Sequence, residues 1–522
     1  MKSPTSPLLL FAAAPLAVCC FSQQCTDLSD TLAAEAANTT VRSVEYVQAG
    51  SNVTAASTHP TCAGFASVLD FSFCRVRLST ATGPDSSVDS ETWLPLNWTG
   101  RFLAVGNGGL GGCIAHADLA YGAQRGFAVV GTNNGHDGNT GAPFYQKPGV
   151  VEDFAYRALR TGVALGKQIA ETLYGKKHDK AYYLGCSTGG RQGFMEAQYF
   201  PEDFDGIVAG APAFDFTGLQ VFSGSQYGIT GPPGSATFLT RAQWSLVVND
   251  TLAQCDGLDG HIDTVIEDPS LCQYRPERLL CAPGETPSDT CLTGPQAETV
   301  RRVSSPIYDK HGKLVYPRMQ PGVDASGLLW TGRPFVYAAD WWTYFVYEDL
   351  SYDGNVTLDD IEAARNINNF NIDAFNGDLS GAKDNGLKIL HYHGQQDALI
   401  SSDNSARYYD HVVRTMGLRT EELDEFYRYF RISGMGHCRG GTGASFIGNN
   451  GAQLAGEGAE ENVLAAIVKW VEEGEAPESV LGTAFEADGK TVKFQRKHCK
   501  YPGRNVYSGT GDADSADSWT CV

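Results

Sequence analysis

The stretch Ala181-Tyr-Tyr-Leu-Gly-Cys-Ser187-Thr-Gly-Gly constrains this chain more than any other. A short apolar run enters a turn that holds glycines around one serine, and helical spacing follows from Gly189 to Tyr199. A strand, a sharp turn and a helix in that order suit a parallel sheet with helical connections. The flanking sequence keeps the same rhythm. Arg101-Phe-Leu-Ala-Val-Gly and Gly126-Phe-Ala-Val-Val-Gly read as two buried parallel strands, and residues 151–174 carry apolar side chains at helical spacing. Ile207-Val-Ala-Gly predicts the next strand. The alternation then stops, and residues 214–385 are rich in Pro, Gly, Trp and Cys. It resumes with a strand around Gly386-Leu-Lys-Ile-Leu-His-Tyr-His-Gly, a helix over 402–416, a strand over 426–432 and a helix over 460–473. We therefore expect an α/β domain built from residues 23–213 and 386–522, interrupted by an inserted domain over 214–385.

The N-terminus places the chain in an oxidising compartment. Lys2, an apolar run from Leu8 to Val18 and a small-residue exit read as a signal peptide over residues 1–22, cleaved between Val18 and Ser22. The run is too short to span a bilayer, and no later stretch reaches about 18 apolar residues. Cleavage discards Cys19 and Cys20 and leaves an even number of cysteines, which in a secreted chain implies disulfides. No CxxC pair exists, which disfavours a zinc ribbon or a redox motif. Sequons at Asn38, Asn52, Asn97, Asn249 and Asn355 are candidate glycan sites. A net charge of −21 argues against nucleic acid or an anionic membrane as partner. With 42% hydrophobic and 19% charged residues, a disordered polyelectrolyte is excluded.

Gly185-Cys186-Ser187-Thr188-Gly189 matches G-x-S-x-G between a strand and a helix, the context of a nucleophile elbow. Such a serine needs a base and an orienting acid, in chain order Ser, Asp or Glu, His. Asp397 follows one predicted strand and His437 another, both at the C-terminal edge of the sheet where side chains converge. His437 would take the Ser187 proton, and Asp397 would hold the imidazole. His391 and His393 compete for the base role but lie within or at the end of a strand, where structural hydrogen bonding suits them better; Asp403 and Asp384 compete for the acid role. Cys186 precedes Ser187 and Cys438 follows His437, so a meeting of serine and histidine would bring both thiols within bridging range. The alternative is that each pairs elsewhere or stays a buried thiol.

An oxyanion hole is expected from the Thr188 N–H and a donor in the glycine-rich loop 105–113, at Gly108 or Gly109. The same loop matches G-x-G-x-x-G at Gly106, Gly108 and Gly111, a weak dinucleotide signature with no clear helix after it. In the insert, Cys255-Asp256-Gly-Leu-Asp259-Gly-His261-Ile-Asp263-Thr-Val265 suits a hard cation. The carboxylates of Asp256, Asp259 and Asp263 and the carbonyls of His261 and Val265 could bind Ca²⁺. The alternative is an acidic solvated turn pinned by Cys255 and Cys272. Trp330, Phe335, Tyr337, Trp341, Trp342, Tyr344 and Phe345 could either face a substrate or form the insert's own core.

Five motifs together resemble the fungal tannase and feruloyl esterase family. They are Gly-Cys-Ser187-Thr-Gly-Gly-Arg-Gln-Gly, Phe204-Asp-Gly-Ile-Val-Ala-Gly-Ala-Pro-Ala, Cys255-Asp-Gly-Leu-Asp-Gly, Tyr392-His-Gly-Gln-Gln-Asp397 and Ser433-Gly-Met-Gly-His437-Cys438. The resemblance covers nearly the whole mature chain and leans towards type B feruloyl esterases. It implies an α/β-hydrolase domain with a large inserted lid domain and the triad Ser187, Asp397 and His437 beside a Cys186–Cys438 bridge. A lid calcium site at Asp256, Asp259, His261, Asp263 and Val265 is also implied. So are the pairings Cys25–Cys74, Cys62–Cys113, Cys255–Cys272, Cys281–Cys291 and Cys499–Cys521. Gln395-Gln396 before Asp397 and Gly436 before His437 depart from the common family pattern without removing a catalytic atom. The expected activity is that of a secreted, extracellular serine esterase. It would cleave hydroxycinnamate esters of plant cell-wall polysaccharide through an acyl-enzyme. Alternatives are a tannase acting on galloyl esters, a non-catalytic carbohydrate-binding protein on a hydrolase scaffold, and a secreted oxidoreductase.

Overall fold

The apolar runs singled out above become the centre of a nine-stranded sheet in the computed structural model, which describes residues 13–35, 38–55, 57, 59–285, 288–357, 359–367 and 369–522. In chain order the strands are β1 Thr39–Val47, β2 Phe73–Ala81, β3 Ser87–Pro95, β4 Arg101–Val105 and β5 Ala128–Thr132, then β6 Lys180–Cys186, β7 Gly206–Gly210, β8 Lys388–Gly394 and β9 Tyr427–Ile432. Their spatial order is β1-β2-β3-β5-β4-β6-β7-β8-β9. β1, β2, β3 and β5 pair antiparallel, and every pair from β5 to β9 is parallel. β4 has β5 on one side and β6 on the other, so the chain reverses its direction of winding there. The loops after β4 and β6 therefore diverge and leave a crevice above the strand ends, where ligands bind in open α/β sheets.

The helices that cover the sheet include α1 Ala13–Glu35, α2 His116–Gln124, α3 Ala158–Tyr174, α4 Thr188–Tyr199, α6 Asp403–Met416 and α7 Val463–Glu473. The fifth, α5 Phe216–Thr230, opens the insert. The expected signal peptide lies outside the described residues over 1–12; beyond them α1 runs through the expected cleavage region, with Cys19 and Cys20 free and exposed. The later part of α1 packs Phe21, Cys25, Leu28 and Leu32 into the main core. Among the described residues no helix is long and apolar enough to cross a membrane.

Two features depart from the sequence reading. Strands β1–β3 were not expected, because burial does not follow polarity in them. Arg75 on β2 and Glu91 on β3 are both buried, paired at 2.8 Å across the strands, with His116 Nε2 3.1 Å from the same carboxylate. Charges placed on the inner face blur the period-two pattern that marks a strand. The second departure is α2, a helix five residues after Gly111 where none was expected. Its segment is short and interrupted by Gly122, so its amphipathic signal is weak.

Between Gly210 and Lys388 the chain leaves the sheet, and β7 pairs directly with β8 on its return. The excursion packs into a second core that it shares with Leu110, Phe144, Val150, Phe154 and Ile400 of the sheet domain. Trp244 stacks on Trp330 at 4.1 Å between ring centroids, and Trp341 meets Phe216 edge-on at 4.9 Å. Burying such rings contributes about 1.5–3 kcal/mol each, which helps to hold together an insert of helices and loops with two short strands among its described residues. The aromatic cluster thus divides. Trp330, Phe335, Trp341 and Trp342 are buried, while Tyr337, Tyr344 and Phe345 are half-buried. Six disulfides pin the chain: Cys25–Cys74, Cys62–Cys113, Cys186–Cys438, Cys255–Cys272, Cys281–Cys291 and Cys499–Cys521. Their Cα separations run from 4.9 to 6.1 Å, within the ordinary range. Asn38, Asn52, Asn97 and Asn249 are exposed, whereas Asn355 is half-buried with its Oδ1 fully covered.

Candidate active site

Ser187 sits between β6 and α4 with φ 67° and ψ −122°, a conformation that L-residues other than glycine seldom adopt. Such strain costs about 1–3 kcal/mol and persists only where the surroundings over-determine it. Here they do. The Ser187 N–H donates to Gly210 O at 2.9 Å, and its carbonyl accepts from Arg191 and Ala213. A Cβ on Gly185 would stand 2.7 Å from the Gly189 backbone, and one on Gly190 would stand 2.3 Å from Gly210 O. The glycines of the motif thus let strand, turn and helix close on one another.

The turn aims Ser187 Oγ at His437, whose Nε2 lies 2.9 Å away. His437 Nδ1 lies 2.7 Å from Asp397 Oδ2. Asp397 is fully buried, and each of its oxygens is used twice. Oδ1 accepts from the N–H groups of Leu399 at 2.8 Å and Ile400 at 2.9 Å, and Oδ2 takes His437 and, at 3.1 Å, His393 Nε2. Burial pushes this carboxyl up. The charge of His437 and hydrogen bonds from His393 and His437 outweigh it and hold Asp397 well below the usual carboxylate range. The arrangement keeps an anion behind the imidazole.

The competing residues are placed elsewhere. His391 is buried between Tyr427 Oη at 2.8 Å and Ser405 Oγ at 2.9 Å, where burial holds it neutral. Asp403 pairs with Arg318, and Asp384 is exposed at the end of a short helix. His393 also bonds Ser405 Oγ at 2.6 Å. Its structural role was expected, but its contact with Asp397 was not. The only trace in the sequence is the spacing His393-Gly-Gln-Gln-Asp397 across a strand end.

Cys438 follows His437 with φ 61°, and this turn lets the histidine face Ser187 while the thiol meets Cys186, Cα to Cα 6.1 Å. The bridge closes a separation of 252 residues. The chain-entropy model assigns such a loop about 5 kcal/mol of stabilisation, and its position ties the Ser187 loop to the His437 loop. Replacing both cysteines by alanine is expected to lower kcat by about 10–100-fold through misplacement of the imidazole. That loss should appear at a temperature where circular dichroism still shows a folded chain; unchanged kinetics would refute it.

The loop after β4 reaches the serine from the other side. A Cβ on Gly106 would lie 2.6 Å from Gly189 Cα, so the first glycine of G-x-G-x-x-G serves contact with the elbow. The Asn107 N–H donates to Gln192 Oε1 at 3.0 Å, and Asn107 Nδ2 donates to Thr132 O at 2.7 Å. The Cys62–Cys113 bridge holds the loop's far end. Thr188 Oγ1 donates to Gly109 O at 2.6 Å, which joins the two expected oxyanion loops. The Thr188 N–H is in the first turn of α4 and has no intrahelical acceptor. Open space stands over Gly108.

Ser187, His437, Gly108 and Gly109 open into a cleft of 1080 Å³. Its lining is mixed, with Phe65, Leu69 and Phe71 beside Asp70, Gln124 and Arg125. Arg125 lies 3.9 Å over the Tyr121 ring and forms two hydrogen bonds with Glu457, and Asp118 also lines the cleft. Its inner end narrows into a recess beside Phe216, Phe335 and Tyr337.

The expected calcium ligands form one turn in the insert. The N–H groups of Asp263 and Thr264 donate to Asp256, and that of His261 donates to Asp259. Asp259 Oδ2 is buried and has no hydrogen-bond partner among the described residues. Burial and the charges of Asp263 and Asp256 push the Asp259 carboxyl up to about 6, and burial likewise raises Asp256. Asp263 also engages the buried Arg496. Among the described residues no three His, Cys, Asp or Glu side chains form a metal-holding group by themselves. The oxygen donor set and the orphaned Asp259 oxygen fit a hard cation whose shell also draws on backbone carbonyls.

Comparison with known proteins agrees with this geometry. The family model described as tannase and feruloyl esterase matches residues 74–345 and 346–522. The chain is 48% identical over 521 residues to a probable feruloyl esterase B-2 of Neosartorya fischeri, covering 99% of each chain. It is 51% identical over 490 residues to a probable feruloyl esterase B-1 of Aspergillus fumigatus, covering 93% of each. The crystal structure of feruloyl esterase B from Aspergillus oryzae superposes with a TM-score of 0.93 at 48% identity, over 96% of this chain and 100% of that one. A tannin acyl hydrolase from Aspergillus niger, at 22% identity, TM-score 0.75 and coverage of 96% and 95%, shares the fold. That fold is α/β-hydrolase-like, with a large mixed sheet and covering helices. A family match across both halves of the sheet, and relatives near half identity over almost the full length, establish that the chain belongs to the tannase and feruloyl esterase family.

Proposed function

We propose that this chain is a carboxylic ester hydrolase that acts through Ser187 on hydroxycinnamate esters of plant cell-wall polysaccharide. The observation that carries the reading is the unbroken relay from Ser187 Oγ through His437 to the buried Asp397 anion. His437 Nε2 takes the Ser187 proton as Oγ attacks the ester carbonyl. The charge that develops on the carbonyl oxygen is met by the Thr188 N–H and a backbone donor at Gly108 or Gly109. The imidazolium returns its proton to the leaving alcohol, and the imidazole then activates water against the acyl-enzyme. Asp397 keeps Nδ1 protonated throughout and offsets the imidazolium charge. The cleft of 1080 Å³ has room for an aryl ester of a sugar, with Phe216, Phe335 and Tyr337 close to Ser187 and with Asp70, Gln124 and Arg125 also in its lining.

Parallel hydrolysis of methyl ferulate, methyl caffeate and methyl gallate tests the acyl preference. We expect kcat/KM for ferulate or caffeate to exceed that for gallate. A clear preference for gallate would favour the tannase reading, and no turnover of any would favour a non-catalytic carbohydrate-binding role.

The proposed setting is extracellular, reached through the N-terminal signal segment, with glycans on exposed sequons. Asp256, Asp259 and Asp263, with the carbonyls of His261 and Val265, would hold a structural Ca²⁺. The ion supplies positive charge to carboxylates that otherwise repel one another and cross-links the turn. Chelation is expected to lower Tm by several degrees and added Ca²⁺ to restore it, because an ion bound only by the folded state stabilises it by mass action. A Tm indifferent to chelator would remove calcium from the account.

A further inference from the structure

Helix α5 forms one wall of the recess beyond Ser187. Phe216, Leu219, Gln220 and Ser223 share the face that lines it, as i, i+3 and i+4 neighbours do. Phe335 and Tyr337 approach from the insert, so the recess is dominated by apolar and aromatic side chains. Ser223 is satisfied within the helix, since its Oγ donates to Leu219 O at 2.9 Å. Gln220 is not. It is only 4% exposed, its Oε1 is buried, and its carboxamide has no hydrogen-bond partner among the described residues. More than nine in ten buried polar groups are paired, and an unpaired one destabilises its protein. A leucine or methionine here would fill the wall without that cost. Gln192, on the helix that follows Ser187, is by contrast held by Asn107 and Asn134. An unpartnered amide in a recess that Ser187 also lines is placed to meet a polar group of a bound ligand.

We infer that Gln220 is a specificity-determining residue that hydrogen-bonds the ring hydroxyl of the aromatic acyl group. This rests on the ester-hydrolase reading above and adds how the acyl group is recognised. A carboxamide offers one acceptor and two donors, and a phenol both donates and accepts, so the pair is mutually satisfying. An unsubstituted ring entering the recess leaves Gln220 desolvated and unpaired, and the site rejects it for that reason. The surrounding aromatics supply affinity for any flat ring; Gln220 distinguishes hydroxylated rings from bare ones.

The test compares kcat/KM for methyl 4-hydroxycinnamate, methyl cinnamate and methyl 4-methoxycinnamate in the wild type and in Gln220→Met. The wild type is expected to favour the hydroxylated ester over methyl cinnamate by about tenfold. The methoxy ester, which keeps an acceptor but loses the donor, should fall towards the bare ring. In Gln220→Met the preference should collapse to about one. Tm of the variant should be unchanged or higher, whereas a purely structural amide would lower it. A preference that survives in a folded Gln220→Met overturns the inference. So does a wild type that does not discriminate among the three esters, a result that needs no variant. If the wild type cleaves 4-nitrophenyl acetate but none of the aromatic esters, the aromatic-ester reading fails and this inference with it. If it cleaves all three equally, only the role of Gln220 falls.

Discussion

Ser187→Ala is expected to reduce kcat on any ester by about a hundred-thousand-fold or more while leaving the fold unchanged. The hydroxyl is the only atom removed, and its recorded contact is with His437 Nε2. The backbone bonds that define the elbow, to Gly210, Arg191 and Ala213, do not involve it. Alanine meets the same cost at φ 67° as serine, so the turn is neither relieved nor worsened. What remains is the background that the oxyanion donors and substrate binding provide without a covalent intermediate. Steady-state kinetics, paired with a thermal melt to show an intact chain, decide the matter. Turnover within about tenfold of wild type would remove Ser187 from the nucleophile role, and an unfolded variant would show that the hydroxyl is structural.

Asp397→Asn should cost about ten-thousand-fold in kcat, and the reason is visible in the hydrogen bonds. All four bonds that reach this carboxylate come from N–H donors, two from backbone at Oδ1 and two from histidines at Oδ2. Asparagine has one oxygen and one NH₂, so it can satisfy only one side. With NH₂ turned towards the histidines, His437 Nδ1 must accept, its proton moves to Nε2, and the imidazole can no longer take the Ser187 proton. With NH₂ turned the other way, it opposes the Leu399 and Ile400 amides and loosens the loop. Either arrangement removes the anion that stabilises the imidazolium. The variant should therefore lose kcat much more than KM and show a modest fall in Tm. A variant that kept near-normal kcat would show that His437 is oriented by something other than Asp397.

The parts of the fold legible beforehand were those encoded in local periodicity. The buried runs at β4, β5, β6 and β7 are mainly apolar on both faces, as parallel strands covered by helices must be, and β8 and β9 keep Ile389, Leu390, Tyr392, Tyr427, Tyr429, Phe430 and Ile432 around their histidines and arginines. Helix α6 was placed to within one residue and α7 to within three, where the Asn462 side chain caps the helix by accepting from Leu464 and Ala465. Strands β1–β3 were not legible because Arg75 and Glu91 lie inward and satisfy each other there, which no local pattern reports. The lid aromatics could not be sorted into core and cleft for a similar reason. Trp341 and Tyr337 lie four residues apart, yet one is buried against Phe216 and the other faces the recess.

For the site, sequence alone determined the chemistry available: a serine in a turn that only glycines permit, an acid and a histidine after later strands, and a cysteine beside each end of the serine–histidine pair. These are statements about chain order and neighbours, and chain order is preserved on folding. The tertiary structure decided which groups meet. It put His393 on the second lone pair of Asp397, closed Gly106 onto Gly189, joined Thr188 to Gly109, and left Gln220, in the recess that Ser187 lines, without a partner among the described residues. Each of these depends on which loops the order β5-β4-β6-β7-β8-β9 brings to one edge, and on how burial there removes water from polar groups. Desolvation and contact are properties of the packed state, so they become readable only once strands that are far apart in sequence lie side by side.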